Sequence, residues 1–392
     1  MYTIHRENMN NMKEVIKNIL IQKFGETGET TSVFRAPARI NIIGEHVDYL
    51  GGYVLPAAID YYVYVSIRKN NLRQFRVYSK QFDNLVVSES LESNKQVDWV
   101  NYIYGVINEI FILGHVITGF DMVIDGNIPT GAGLSSSAAL EVVVVYALSE
   151  IFGLQIPREE IAVIGQRAEN NFVGVNCGIM DQFIIANGKD NSCLLLQTDS
   201  LEYSYIPLDL GDVGFYLINS EVKHSLKDSE YNERRKECDT ALNKIKDKYK
   251  ELENLYNLDV LSDLKQFGFK PNEQKRVGHV LGEKARTKKV IAAISKKDAK
   301  TIGDCLFQTH NSLSEKFEVS CVETDFLVQE LKRLGVLGAR MMGGGFGGCV
   351  LVLDFKNNFE PIQKEIQRTY SQKTGLNPRF YHFEICNGVE YA

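Results

Sequence analysis

The chain has 392 residues, of which 44% are hydrophobic and 24% are charged, with a formal net charge of −6 and a pI near 5.8. This composition is typical of a globular protein, and the length favours two domains. The acidic balance argues against nucleic acid as a partner, because binding a phosphate backbone needs a basic face. The longest apolar run, at 142–148, is too short to span a membrane.

The cysteines and the first residues indicate the compartment. The seven cysteines are scattered, with no CxxC pair and no zinc spacing, which is typical of reduced thiols. The first 22 residues lack the apolar core of a signal peptide. We therefore expect a soluble cytoplasmic protein, a monomer or a weak oligomer, with no membrane and no nucleic-acid partner.

The predicted elements begin with an amphipathic helix at 12–24. Residue patterns then predict helices at 99–110, 134–152 and 161–172, and strands at 32–35, 53–59, 61–68, 75–79 and 120–124. After residue 214 they predict a charged helix at 228–252, further helices up to 334, and strands at 215–219, 340–342, 349–355 and 380–384. Because strands and helices do not alternate regularly, the fold class is α+β. We expect a boundary near residue 212, between N-terminal and C-terminal α+β domains at 1–212 and 213–392.

A glycine-rich loop, PTGAGLSSSAAL at 129–140, leads into a predicted helix. Gly131 and Gly133 allow a tight turn, and Ser135 is a suitable N-cap for the helix. Free N–H groups at the start of a helix suit a phosphate, and a serine hydroxyl is a suitable ligand for Mg²⁺. The alternative is a plain connection with capping serines, but three consecutive serines exceed what capping needs. The loop therefore favours a phosphate site, although it is not a Walker A sequence.

A second polar segment, RINIIGEHVDY at 39–49, places Glu45, His46 and Asp48 within four positions. Carboxylates and an imidazole both suit a polyol, because each sugar hydroxyl needs an acceptor as well as a donor. A polar loop with an arginine–carboxylate pair is an alternative. A metal site is another, but no further ligands occur at a recognisable spacing. The residues alone leave all three interpretations open.

Three segments, in this order and spacing, carry a family resemblance. PARINIIGEHVDY (37–49) resembles the galactokinase signature, IPTGAGLSSSA (128–138) the ATP motif of the GHMP kinase superfamily, and GARMMGGGFGGC (338–349) its third motif. CGIMDQF (177–183), KHSL (223–226) and SEYNERR (229–235) are also similar to galactokinases. The resemblance extends from about residue 34 to about residue 355. The chain is therefore identified as a member of the galactokinase family.

The third segment also matches G-x-G-x-x-G, the dinucleotide-binding fingerprint, at 343–348. That fingerprint requires a strand before the glycines and a helix after them. The β-type run CVLVLD follows at 349–354 instead. We therefore predict a glycine-rich turn that closes over the active site, and no NAD site.

The resemblance implies two α+β domains with the active site in the cleft between them. It implies ATP-dependent phosphorylation of galactose at the C1 hydroxyl, giving galactose 1-phosphate and ADP, with Mg²⁺. Arg39 matches the arginine at the transferring phosphoryl group, and Asp181 matches the catalytic aspartate, a candidate general base. The implied metal ligands are Ser137 and Glu169. The implied sugar contacts are Glu45, His46, Asp48, Gly178 and Tyr231, and the implied ATP contacts are Ser79, Trp99, Gly131, Ala132, Gly133, Leu134, Ser135, Ser136 and Ser137.

Two positions depart from the family pattern: Ala38 replaces a usual glycine, and Val47 replaces a common threonine. Both leave the reaction intact but bear on sugar preference. The alternatives are a kinase for N-acetylgalactosamine or arabinose, and a non-catalytic galactose and ATP sensor. Outside the motifs, three histidines are predicted to be surface or core residues, and the basic residues at 234–236 are predicted to form a solvated helix face; the histidines are His115, His279 and His310.

Overall fold

The computed structural model describes residues 2–94, 96–129, 131–222, 227–258 and 264–392. Its α-helices are α1 (Tyr2–Phe24), α2 (Val100–Ile112), α3 (Ser136–Phe152), α4 (Arg158–Arg167), α5 (Met180–Asn187), α6 (Lys227–Lys246), α7 (Pro271–Ser295), α8 (Ala299–Ser312), α9 (Val322–Arg333) and α10 (Phe359–Thr374). Two π-helical segments extend α4 and α8, at Ala168–Val173 and Leu313–Phe317. Short 3₁₀ helices lie at Asp48–Leu50, Leu255–Asn257, Leu264–Phe267 and Lys356–Asn358.

The strands form three sheets. They are β1 (Ser32–Asn41), β2 (Tyr53–Val54), β3 (Pro56–Lys69), β4 (Phe75–Ser79), β5 (Asn84–Ser88), β6 (Phe120–Gly126), β7 (Ser192–Gln197), β8 (Tyr203–Pro207), β9 (Val213–Asn219), β10 (Gly338–Met341), β11 (Cys349–Phe355), β12 (Arg379–Tyr381) and β13 (Glu390–Tyr391). The sheet orders are β13-β1-β3-β6-β4-β5, β10-β11-β9-β12 and β2-β7-β8. Neighbouring strands are antiparallel, except for the parallel pair β4 and β6.

Strand β1 carries the first polar motif toward the centre of the molecule. It pairs with β3 over its whole length, with a shift of register between Pro37 and Ala38. Such a bulge bends a strand and changes the direction of the next side chains. The two extra residues, Asp60 and Tyr61, are on β3, opposite the step from Pro37 to Ala38 that directly precedes Arg39.

The apolar core joins the two halves of the chain, which we define as residues up to 212 and from 213 onward. Val142–Val145 of α3 is fully buried, as a helix packed on all sides requires. The cluster around α3 also contains Val277 of α7 and Phe317. A second cluster packs Ile40 of β1 against Leu351 of β11. Because both halves contribute to the same clusters, the motifs at their junction are held by packing from either side.

The structure confirms most predicted elements. The predicted strands at 53–59 and 61–68 fall largely within one strand, β3, which continues through the irregular pairing with β1 at Asp60 and Tyr61. The sequence interpretation missed the helices α5 and α10 and the strands β5, β7, β8 and β13, and its helix at 228–252 ends at Lys246. All seven cysteines lie in the described ranges, and none forms a disulfide. Among the described residues no helix is long and apolar enough to cross a membrane.

Candidate active site

An ion pair between β1 and α5 lies at the centre of the site. The Arg39 guanidinium donates to both carboxylate oxygens of Asp181, from Nε at 2.7 Å and from Nη2 at 2.8 Å. Its Nη1 donates to the carbonyl oxygen of Gly133 at 2.7 Å. Burial lowers the pKa of Arg39, but the charge and hydrogen bonds of Asp181 outweigh it and raise the pKa overall. Arg39 therefore stays charged and connects the glycine-rich loop to Asp181.

The glycine-rich loop reaches Asp181 by a second route. Ser135 has a left-handed backbone, with φ 61°, and its hydroxyl donates to Oδ2 of Asp181. The prediction that Ser135 caps α3 with its side chain is wrong, because an N-cap side chain needs an extended backbone and this left-handed residue makes no capping hydrogen bond. Ser136 is exposed and Ser137 is half-buried at the start of α3. The loop thus places the Ser135 hydroxyl and the start of α3 next to the Arg39–Asp181 pair.

The third motif closes against this loop. The amide of Cys349 donates to the carbonyl oxygen of Ala132 at 3.1 Å, and the carbonyl oxygen of Gly133 lies 3.2 Å from where a side chain on Gly343 would begin. Strand β11 follows these glycines, as predicted. Leu134 is buried and Gly131 is exposed.

Glu45 is buried and held on several sides. Its Oε2 pairs with Nη1 of Arg340 at 2.7 Å and accepts from the Asn41 amide at 2.9 Å, while its Oε1 accepts from the N–H of Gly343 at 2.7 Å. Arg340 is fully buried. The sequence interpretation missed Arg340, although a charged residue within a predicted apolar strand is a signal that it has a buried partner.

His46, Tyr49 and Tyr231 form an aromatic group beside Asp48. Nδ1 of His46 lies 3.0 Å from the Tyr49 hydroxyl, and the His46 ring centre lies 5.5 Å from that of Tyr231. Burial raises the pKa of both tyrosines, so their hydroxyls stay protonated and can donate. A polar group with aromatic walls is a suitable surface for a sugar.

Asp48 lies directly against Gly178. A β-carbon on Gly178 would lie 1.9 Å from Oδ2 of Asp48, so any larger residue would displace the carboxylate. Burial raises the pKa of Asp48 to about 7, with further contributions from the charges of Asp181 and Glu45. The residues predicted to bind sugar therefore meet around one acidic centre, next to the Arg39–Asp181 pair.

The predicted metal ligands are also in contact. Ser137 donates a hydrogen bond to Glu169, which lies in the π-helical segment after α4. The carboxylate of Glu169 accepts from Gln182 at 2.8 Å, and Gln182 also donates to Glu141 at 3.0 Å. Among the described residues, no group of three or more histidine, cysteine or acidic side chains is arranged for a metal. A hydroxyl next to a carboxylate is nevertheless a donor set that fits a hard cation shared with phosphate oxygens.

Ser79 and Trp99 belong to other elements than the Arg39–Asp181 pair. Ser79 is buried at the end of β4, and Trp99 directly precedes α2. The Trp99 ring stacks on the exposed Phe82 ring, with centres 6.1 Å apart and an interplanar angle of 10°. The hydrogen bonds and ring contacts of the described residues connect neither Ser79 nor Trp99 to Arg39 or Asp181.

A cavity of about 530 Å³ extends outward from Asp48 and Gly178. Arg235 lines it and donates to the carbonyl oxygen of Asn176 at 2.6 Å, while Arg234 donates to the carbonyl oxygen of Phe317 at 2.9 Å. The prediction of a solvated face at 234–236 is therefore wrong for both arginines, because each donates to a backbone carbonyl oxygen outside α6.

Residues 223–226 of the KHSL segment and residue 130 of the ATP motif lie outside the described residues.

Comparison with known proteins identifies the class. The family model of the GHMP kinases N terminal domain matches residues 101–189, and that of the GHMP kinases C terminal matches residues 290–372. A crystal structure of mevalonate kinase has the same fold, with a TM-score of 0.63 at 19% identity over 91% of this chain and 99% of that one. The chain is a GHMP kinase, a family that implies ATP with a divalent metal. The predicted α+β, two-domain fold class is confirmed.

More similar proteins narrow the family. The galactokinase galactose-binding signature matches residues 21–69. The galactokinase of Thermosipho africanus is 44% identical over 357 residues, covering 91% of this chain and 98% of that protein. The galactokinase of Ligilactobacillus salivarius is 40% identical over 387 residues, covering 96% and 99%. The crystal structure of Lactococcus lactis galactokinase complexed with galactose has a TM-score of 0.92 at 33% identity, covering 98% and 100%. This chain belongs to the galactokinase family, as the sequence motifs predicted.

Proposed function

We infer that the protein transfers the γ-phosphoryl group of ATP to the C1 hydroxyl of galactose, giving galactose 1-phosphate and ADP. One observation carries this inference: the Arg39–Asp181 pair joins the carbonyl of Gly133, in the phosphate-binding loop, to the acidic centre around Asp48. The proposed nucleotide site and the proposed sugar site thus meet at Arg39 and Asp181. The family membership supplies the identity of the two substrates.

In the proposed reaction the C1 oxygen of the sugar forms a bond to the γ-phosphorus. The bond from that phosphorus to the β–γ bridging oxygen breaks, and ADP leaves with the electron pair. Asp181 accepts the hydroxyl proton or orients the hydroxyl during transfer. Arg39 offsets the charge on the phosphoryl oxygens, and its guanidinium is buried and held in place by Asp181.

We assign the remaining predicted residues to three groups. Ser137 and Glu169 would hold Mg²⁺, which neutralises charge on the β- and γ-phosphates when bound. The sugar group is Glu45, His46, Asp48, Gly178 and Tyr231. The nucleotide group is Ser79, Trp99, Gly131, Ala132, Gly133, Leu134, Ser135, Ser136 and Ser137, in which Trp99 and Phe82 offer an aromatic surface for the base.

The test is ADP release with ATP and Mg²⁺ across galactose, N-acetylgalactosamine, glucose, arabinose, homoserine and mevalonate. We expect strong release with galactose. Release with N-acetylgalactosamine or arabinose alone would keep the phosphoryl chemistry and overturn the sugar assignment. Binding of galactose and ATP without ADP release would identify a sensor instead of an enzyme. Mn²⁺ and Ca²⁺ in place of Mg²⁺ would test the choice of metal.

The division of the chain near residue 212 remains our proposal. It is supported by the sheet memberships, since β9–β12 form a sheet of their own. The cytoplasmic location and the monomeric or weakly oligomeric state remain predictions.

A further inference from the structure

The backbone of the sugar motif makes an unusual turn. Gly44 has φ 96° and His46 has φ 57°, so two of three consecutive residues lie in the left-handed region. For a residue other than glycine this region is unfavourable, and it persists only when surrounding contacts hold it. The turn sets where the side chains of Glu45 and His46 point. Contacts that hold the turn therefore control the sugar site without touching the sugar.

Two side chains of α7 supply such contacts. Oε1 of Glu283 accepts from the amide of Gly44 at 2.9 Å and from the amide of Glu45 at 3.1 Å. Nε2 of His279 lies 3.0 Å from the carbonyl oxygen of Glu45. Residues four apart on a helix share one face, so the two side chains together engage three backbone groups of the turn.

The hydrogen-bond partners of His279 determine which of its ring nitrogens carries the proton. A carbonyl oxygen can only accept, so Nε2 carries the proton and donates to Glu45. Nδ1 then accepts from the hydroxyl of Ser312, 2.9 Å away. Burial lowers the pKa of His279 to about 4, which keeps the ring neutral near pH 7. His279 is thus a core histidine, as predicted, but with a hydrogen bond at each ring nitrogen.

The second carboxylate oxygen of Glu283 is also hydrogen-bonded. Its Oε2 accepts from Nε of Arg286 at 2.9 Å and from the Thr309 hydroxyl at 2.9 Å. Burial raises the pKa of Glu283, but Arg286, His279, Arg340 and the Gly44 amide outweigh it, and the pKa is lowered overall. A fully buried carboxylate fixed in this way is a rigid support for the turn.

We propose that His279 and Glu283 are a positioning pair, by which the C-terminal half holds residues 44–46 in the geometry that binds the sugar. This inference rests on the proposed function, because it assigns the turn to the sugar. The pair acts through Glu45 and His46 and makes no contact with substrate. Its loss should therefore weaken sugar binding while ATP binding is kept.

The experiment compares Glu283→Ala, Glu283→Gln and wild type in steady-state kinetics with galactose and ATP varied separately. Glu283→Ala should raise the KM for galactose by at least about tenfold, since two hydrogen bonds to a charged group are lost. The KM for ATP should change by no more than about twofold. Glu283→Gln retains one acceptor oxygen for the two amides but no longer accepts from Arg286, so its galactose KM should lie between those of wild type and Glu283→Ala.

A matched control lies on the same helix. Glu273 is also a buried carboxylate of α7, but it binds Lys244 at 2.6 Å and the amide of Lys270 at 2.7 Å, away from the turn. Glu273→Ala should lower the melting temperature and leave the galactose KM unchanged. If Glu273→Ala and Glu283→Ala raise the galactose KM equally, or if Glu283→Ala changes only stability, the pair is structural and the proposal is wrong.

A second pair of variants covers a failure of Glu283→Ala to fold. His279→Gln keeps a donor for the carbonyl of Glu45 and His279→Leu does not, so only His279→Leu should raise the galactose KM. Equal KM values for the two variants would overturn the proposal. The wild-type assay with galactose tests the proposed function separately. If wild type uses another acceptor of the panel, the same comparison of variants is made with that acceptor.

Discussion

Asp181 lies between a cation and a hydroxyl that both hold its carboxylate in place. Arg39 binds both oxygens and Ser135 donates to one of them. Asp181→Asn keeps the size of the side chain but cannot take the proton of a sugar hydroxyl. We expect turnover to fall by about 10²-fold or more, while the galactose KM stays within a few-fold of wild type. ADP-coupled kinetics measure both, and turnover within a few-fold of wild type would refute the base role.

Asp48 gives a pH dependence of stability. Its pKa is about 7 in the fold, against the ordinary value of 3.8 for an aspartate, so between these values the folded protein holds a proton that the unfolded chain releases. The stability from protonated Asp48 is therefore fully present below about pH 4 and is lost as the pH rises through about 7. Asp48→Asn avoids this loss.

The melting temperature without substrates checks this at pH 4, 5, 6, 7 and 8. The variant should match wild type at pH 4, melt progressively higher than wild type up to about pH 7, and keep a constant advantage above it. An advantage that is the same at every pH would mean that Asp48 does not titrate in this range.

At the level of single residues, the sequence predicted which side chains come together in the site, but not which residues hold them in place. The motifs gave Arg39, Asp181 and the sugar group through a family resemblance, and the structure brings these together. Arg340 and Glu283 support Glu45 from about 240 to 300 positions away along the chain. The sequence alone does not reveal contacts between residues so far apart, because the local patterns that predict β10 and α7 carry no information about Glu45.

Helix α8 and strand β10 approach each other closely through two glycines. A β-carbon on Gly303 would lie 1.9 Å from the carbonyl oxygen of Leu337, next to Gly338. Gly303→Ala should therefore cost about 1–3 kcal/mol of unfolding free energy, because α8 and β10 must separate. Since β10 carries Arg340 to Glu45, the galactose KM should rise as well.

Gly278→Ala on α7 is the control for this prediction. Its new methyl group would meet only the flexible Lys316 side chain, at 3.9 Å. Alanine in a helix is favoured over glycine, so this variant should be more stable by about 0.5–1 kcal/mol. Chemical denaturation measures both variants, and a Gly303→Ala protein as stable as wild type would show that the contact tolerates a side chain.

Most long apolar elements were predicted from the sequence, whereas several short or polar ones were not, and neither was the amphipathic helix α10. Helix α3 was predicted from its apolar run. Strands β5 and β8 are five residues long and partly exposed, so their composition resembles that of loops. The helix predicted at 161–172 contains the π-helical segment Ala168–Val173, which carries Glu169. Helical periodicity does not reveal such a change of hydrogen bonding.

For the whole molecule, the order of the three motifs predicted a junction between two halves, and the shared clusters agree with it. The return of the chain at residues 385–392 was not predictable, because many of its contacts are hydrogen bonds between backbone groups far apart in the sequence. The amide of Gly388 donates to the carbonyl of Gly188, that of Val389 to Ile185, and that of Ala392 to Val33. These bonds join β1, which carries Arg39, to α5, which carries Asp181.

Deletion of residues 386–392 should therefore weaken both the fold and the catalytic pair. The deletion removes the pairing of β13 with Phe34 and Arg35 and exposes the site of the buried Val389. We expect the melting temperature to fall by at least about 5 °C and turnover to fall with it, since several backbone hydrogen bonds are lost together. Glu390→Gln is the control: it weakens only the partly exposed ion pair with Arg35, so the melting temperature should change by about 1 °C at most. If the deletion protein melts within a degree of wild type, the strand is dispensable and Arg39 and Asp181 are positioned by the core alone.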